Sequence, residues 1–240
     1  RRITVKILVL ESSGLVASVA VVTEEKLIGE YTTNFKKTHS QTLLPMMDTL
    51  LKMIGIPVQE MDAIAVSGGP GSFTGLRIGS ATAKGLGLAL SIPIISVPTV
   101  DAIAYNLCGT DAVVCPLMDA RRNQAYYGVY DVKENTPQAL VPQAAAPIGE
   151  VIETVNKLGR PVIFVGDGVP VFKEQIEASL TVPYQWGADS VRYQKAASTA
   201  ALGKIYLEQG KGTAARDFAP IYLRLSQAER ERMEREKSDK

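Results

Sequence analysis

A nearly continuous apolar run, Met61 to Val66, is followed by Ser67-Gly68-Gly69-Pro70-Gly71-Ser72-Phe73-Thr74-Gly75 and then by an apolar helical pattern that runs to Leu90. A buried strand, a glycine turn and a helix in that order point to an α/β layer, because a continuous apolar strand needs cover on both faces. Exposed backbone N–H groups at such a helix start suit an anion. The turn matches neither common nucleotide fingerprint: Leu76 rather than Lys follows Gly75, and Thr74 stands three residues after Gly71 where a dinucleotide loop has glycine. A structural turn and a ligand-contacting loop both stay open, with Gly71 and Ser72 the candidate phosphate contacts in the second case.

The segments around this unit alternate in the same way. Ile3 to Leu10, Ala17 to Val22 and Leu27 to Thr33 are short runs rich in Val, Ile, Leu and Thr, separated by turn residues, and they predict an antiparallel three-strand meander. Leu43, Leu44, Met47, Leu50, Leu51 and Ile54 form the stripe of an amphipathic helix, with Ser40 as its expected cap and Pro45 near its start. A strand over 94–97 and a helix over 99–107 complete a first unit, residues 1–100. The second half opens with strands at 113–118 and 125–132 and continues with a helix at 148–158, a strand at 162–165 entering Gly166-Asp167-Gly168, and helices at 171–180 and 195–208. The pattern predicts a second α/β unit over 101–226, a structural duplication without a residue-level repeat, and a charged helical or frayed tail over 227–240.

Composition narrows the chemistry. The chain has 240 residues, 26 basic against 25 acidic, so its net charge of +1 gives no broad field for a polyanion. No run of about 18 uncharged apolar residues is present, and the basic N-terminus lacks a small-residue cleavage site, which predicts a cytoplasmic chain that does not enter the membrane. Cys108 and Cys115 match neither a disulfide framework nor a metal pair. One histidine, His39, excludes any site that takes two imidazoles from this chain. Ser72 lies outside a Gly-x-Ser-x-Gly elbow, so a serine triad on His39 is not supported.

Two further patterns carry open readings. Gly75, Gly79, Ala83 and Gly87 recur every four residues, and helix glycines cost about 1 kcal/mol each relative to alanine, so a close approach must compensate them. That approach is either packing inside the domain or a subunit interface built with the helix over 43–54. Glu11-Ser12-Ser13-Gly14 reads as a polar hairpin turn or as a phosphate-contacting one, and Asp119, Arg121 and Arg122 hold the corresponding place in the second half.

Together, Ile7 to Ser13, His39-Ser40 with Leu43-Leu44-Pro45, Gly69-Pro70-Gly71-Ser72-Phe73-Thr74-Gly75-Leu76-Arg77-Ile78-Gly79, Asp119-Ala120-Arg121-Arg122 and Tyr222-Leu223-Arg224 resemble the TsaB family, also called YeaZ. The resemblance spans the first strand to about residue 225, and its central eleven-residue motif is highly specific. It implies an α/β fold of two tandem actin-like domains (ASKHA, ribonuclease H-like), the second abbreviated. It also implies a subunit that is no enzyme on its own and needs no cofactor. Such a subunit is required for threonylcarbamoyladenosine at position 37 of tRNAs reading ANN codons. The paralogue TsaD carries its metal on a His-x-x-x-His pair, which a chain with His39 alone cannot supply. The implied partners are TsaD and the ATPase TsaE, a second copy of the chain in isolation, and tRNA mainly through TsaD. The expected partner interface is Leu43, Leu44, Met47, Leu51, Gly75, Leu76, Gly79 and Ala83; the candidate nucleotide or phosphate contacts are Glu11, Ser12, Ser13, Gly71 and Ser72. An M22-glycoprotease-like peptidase and a plain nucleotide-binding module are the rival readings.

Overall fold

The computed structural model describes residues 4–35 and 37–224, so the tail expected over 227–240 lies outside the described residues. A five-stranded sheet is built from β1 (Lys6–Glu11), β2 (Ala17–Thr23), β3 (Leu27–Thr33), β4 (Ala63–Gly69) and β5 (Ile94–Pro98), in the order β3-β2-β1-β4-β5. The meander β1-β2-β3 is antiparallel, whereas β4 joins β1 and β5 joins β4 in parallel. Those parallel pairings need crossovers, supplied by α1 (His39–Ile54) and α2 (Phe73–Leu90).

Side-chain alternation along β1 explains its continuous apolar sequence. Leu8 and Leu10 point to the face covered by Leu43, Met46, Leu50 and Leu51 of α1 and Ala83 of α2, while Ile7 and Val9 face Ala196, Ala200 and Leu202. Both faces are thus dry, as a strand without polar alternation requires. α1 begins one turn earlier than the apolar stripe suggests: Thr38, with extended backbone, precedes it, Ser40 lies inside its first turn, and Pro45 falls in its second.

The second sheet repeats the plan. β6 (Val113–Asp119), β7 (Gln124–Asp131), β8 (Gln138–Pro147), β9 (Val162–Val165) and β10 (Tyr184–Trp186) take the order β10-β9-β6-β7-β8, the same topology as the first. α3 (Thr99–Tyr105) sits between the sheets, with Val100, Ile103 and Ala104 packed beside Val114, Met118 and Tyr130 of the second. α4 (Ile148–Leu158) and α5 (Val169–Ser179) cover the opposite face of that sheet.

After a short α6 (Asp189–Arg192), the chain crosses back. α7 (Ala196–Glu208) packs on β1, β2, β4 and β5 of the first sheet, Thr213 bridges to Ile94, and the Ile221 N–H donates to the Gly68 carbonyl. A single cut at residue 100 therefore fails for these segments: α7 fills the uncovered face of β1, burying Ala196, Ala200 and Leu202.

Candidate functional site

The small-residue face of α2 is directed into its own domain. A Cβ on Gly75 would run into the Ser12 carbonyl oxygen, and one on Gly79 would meet the Ser12 hydroxyl and Val66. Glycine at these positions lets the start of α2 approach the turn after β1, and the packing reading of the Gly75-Gly79-Ala83 stripe holds. Gly75, Leu76, Gly79 and Ala83, together with Leu43 and Leu51, are buried within the chain, so these six do not present a surface to a partner. Of the expected interface residues, Leu44 is 49% exposed and Met47 is half-buried at the edge of the core.

The turn after β1 is equally self-contained. Glu11 is fully buried, and its carboxylate accepts the Ser13 N–H at 2.7 Å, the Ser13 and Ser67 hydroxyls, and the Thr199 hydroxyl at 3.4 Å. Burial pushes the Glu11 carboxyl up from its ordinary value, and the bonds from Ser13 and Ser67 pull against that shift. The Ser12 hydroxyl donates to the Gly75 carbonyl at 2.9 Å, and the Ser13 carbonyl accepts the Ser72 N–H at 2.7 Å. Glu11 and Ser12 therefore turn inward; they bind the chain's own backbone and hydroxyls instead of reaching toward a ligand. His39, the first residue of α1, holds the same turn through a 2.8 Å bond between its Nε2 and the Gly14 carbonyl.

Ser13, Gly71 and Ser72 do reach a cleft of about 620 Å³ between the two sheets. Its walls also include Phe73, Asp119, Arg121, Tyr126, Asp167, Tyr222 and Arg224. Phe73 and Tyr222 lie 4.8 Å apart between ring centroids, and the Arg77 guanidinium sits 4.0 Å above the Phe73 ring. Across the cleft, the β6–β7 turn places Arg121, Arg122 and Asn123 in succession at φ values of 63°, 55° and 56°. Three consecutive left-handed non-glycine residues are costly and persist only where neighbours over-determine them. The Asp119 carboxylate accepts the Arg121 N–H at 2.7 Å and pairs with its guanidinium at 3.0 Å, and Arg224 donates to the Ala120 and Arg121 carbonyls.

Asp167 and Gln194 are site residues that the sequence reading did not single out. Asp167 follows β9, at the place in the second sheet that the glycine turn occupies in the first, and burial pushes its carboxyl up to about 6. Gln194 is buried beside it, and Gly14 is in contact with both, since a Cβ there would meet the Gln194 amide and the Asp167 carboxylate. The repeated strand-turn-helix order was a signal for Asp167; Gln194 had none. Among the described residues, no group of three or more His, Cys, Asp or Glu is placed to hold a metal ion.

Comparison with known proteins decides the family. Residues 26–232 match the family profile described as TsaD, tRNA N6-adenosine threonylcarbamoyltransferase. The tRNA threonylcarbamoyladenosine biosynthesis protein TsaB of Bacillus subtilis is 32% identical over 231 residues, covering 96% of this chain and 99% of that protein. The chain belongs to the TsaB family. The TsaB of Haemophilus influenzae is 30% identical over 79% of this chain and 81% of its own length. YeaZ from Pseudomonas aeruginosa superimposes with a TM-score of 0.75 at 27% identity, over 91% of this chain and all of that one. The TsaB-family fold is thus two tandem actin-like domains, in line with the duplicated strand order. The single histidine of this TsaB-family chain, already bonded to Gly14, does not fit the two-histidine metal site that its likeness to TsaD brings into question.

Proposed function

We propose that this chain is a non-catalytic subunit required for threonylcarbamoyladenosine formation at position 37 of tRNAs reading ANN codons, acting by binding and supporting TsaD together with TsaE in the cytoplasm. The observation that carries this reading is His39: the sole imidazole of the sequence is spent on fixing the β1–β2 turn. In isolation the chain pairs with a second copy. The partner surface is the outer ridge of α1 at Leu44 and Met47, with the buried residues beneath it serving as its support.

The deciding experiment is tRNA threonylcarbamoylation in vitro with a TsaC-type enzyme, TsaD and TsaE, with this chain added or withheld, and with this chain present but TsaD omitted. Activity that needs both chains is the expected result. Modification or proteolysis by this chain alone overturns the reading. Leu44→Asp, which places a charge on the exposed ridge, is expected to abolish TsaD association in size-exclusion chromatography while leaving the fold intact.

One observation favours a nucleotide-binding module as the second reading: the cleft lies between the two hairpin turns and the glycine turn. Against it, the Ser12 and Ser13 hydroxyls and the Ser13 N–H already have acceptors inside the chain. Calorimetry with ATP and ADP separates the two readings, because the subunit reading expects little heat from the isolated chain.

A further inference from the structure

The mouth of the cleft carries cations and an aromatic surface that the fold does not consume. The Arg77 guanidinium lies over the Phe73 ring, and Phe73 in turn packs at a 41° tilt against Tyr222, whose residue surface is 39% exposed. Facing it across the opening, the left-handed β6–β7 turn holds Arg121 with its side chain 83% exposed, and Arg122 is exposed with no ion-pair partner among the described residues. Asp119 offsets part of the Arg121 charge, whereas Arg77 and Arg122 have no ion-pair partner among the described residues.

We propose that this rim docks a single-stranded segment of tRNA, with one base stacked on Tyr222 and the flanking phosphates held by Arg121 and Arg122. The inference rests on the tRNA-modification reading above and adds a direct RNA contact to it. Guanidinium groups match phosphate oxygens in bidentate geometry, and an exposed ring backed by a second ring and a cation is a rigid platform for any base. A free nucleotide seated deep in the cleft fits less well, because the hydroxyls of the first turn are already bonded inward and the Arg121 guanidinium on the cleft wall is largely exposed to solvent. An acidic protein segment would use the arginines and leave the stacking platform idle.

The test is fluorescence anisotropy of a labelled, unmodified tRNA with the full chain in complex with TsaD, across a salt series. Arg121→Ala combined with Arg122→Ala is expected to weaken binding about tenfold and to reduce the slope of log affinity against log salt by about 1 to 2. Tyr222→Ala is expected to weaken binding about fivefold without changing that slope, and Tyr222→Phe to restore it. Unchanged affinity and slope in the double variant overturn the proposal. So does loss of TsaD association in the double variant, which makes the rim a protein contact, or displacement of tRNA by ATP with equal sensitivity to both arginines, which assigns it to a free nucleotide. The subunit reading fails separately, through modification that does not need the chain.

Discussion

The turn after β1 and the turn after β6 occupy the same place in two sheets of identical strand order, yet they are built in opposite ways. The first buries its acid: Glu11 is surrounded by hydroxyl donors, and the following serines are bonded to the start of α2. The second exposes its cations on a left-handed backbone and keeps its acid, Asp119, as a local brace. One turn has become a fastener between α2, β4 and α7, while the other stays free to meet something outside. A duplicated topology therefore does not dictate a duplicated role; the partners available to each turn do.

The largest effect should come from unfastening the first turn. Glu11→Ala leaves the Ser13 N–H and the Ser13 and Ser67 hydroxyls without their acceptor in a fully buried site, while the Thr199 hydroxyl keeps the Lys195 carbonyl. Relief of the carboxylate's burial offsets part of that loss, and a net destabilisation of about 3 to 4 kcal/mol is expected in urea unfolding. Glu11→Gln keeps the shape and one acceptor oxygen, and a serine hydroxyl can rotate to accept from the new amide, so a loss of about 1 kcal/mol is expected. Equal losses for the two variants would mean that the carboxylate charge, rather than the acceptor geometry, fastens the turn.

The same contrast shows what the sequence made legible. Strand-turn-helix order, the β1–β3 meander and the bounds of α4 and β9 follow from periodicity and punctuation alone, because each is a run of apolar residues between glycines, prolines or charges. β8 escaped detection since Gln138–Pro147 contains four alanines and two prolines and lies at a sheet edge, where apolar alternation is not demanded. β10, three residues long, is too short for a period. The return of α7 to the first sheet was hidden for a different reason: an apolar helix face does not say which sheet it covers. The inward direction of Glu11 was likewise illegible, since its hydroxyl donors Ser67 and Thr199 lie 56 and 188 residues away.

Asp167 sharpens the comparison from the cleft side, with a smaller effect of opposite sign. Its folded-state carboxyl titrates near 6 against an ordinary 3.8, so the folded chain binds this proton more tightly than the unfolded chain does. Its contribution to stability is therefore greatest below about 3.8, falls as pH rises to about 6, and stays lost above that. At about 1.4 kcal/mol per pH unit, Asp167→Asn should gain about 2 to 3 kcal/mol over the parent between pH 4 and pH 8. The two urea unfolding series, compared as differences, cancel the other titrating groups. A gap that does not change with pH would show that Asp167 is not desolvated by the β1–β2 turn beside it.

The smallest effect belongs to the second turn. The Arg121–Asp119 ion pair involves an arginine side chain that is 83% exposed, and such pairs contribute little, whereas the bond from the Arg121 N–H to the Asp119 carboxylate braces a left-handed backbone. Asp119→Asn retains an acceptor for that N–H and removes only the charge, so its stability should stay within about 0.5 kcal/mol of the parent. Asp119→Ala removes both and should cost about 1 kcal/mol. Because Asp119 also reduces the positive charge at the cleft mouth, both variants should bind tRNA somewhat more tightly if the left-handed turn is held by backbone bonds and Arg224. Tighter binding by Asp119→Asn with weaker binding by Asp119→Ala would instead show that the carboxylate's main task is to keep Arg121 and Arg122 aimed across the cleft.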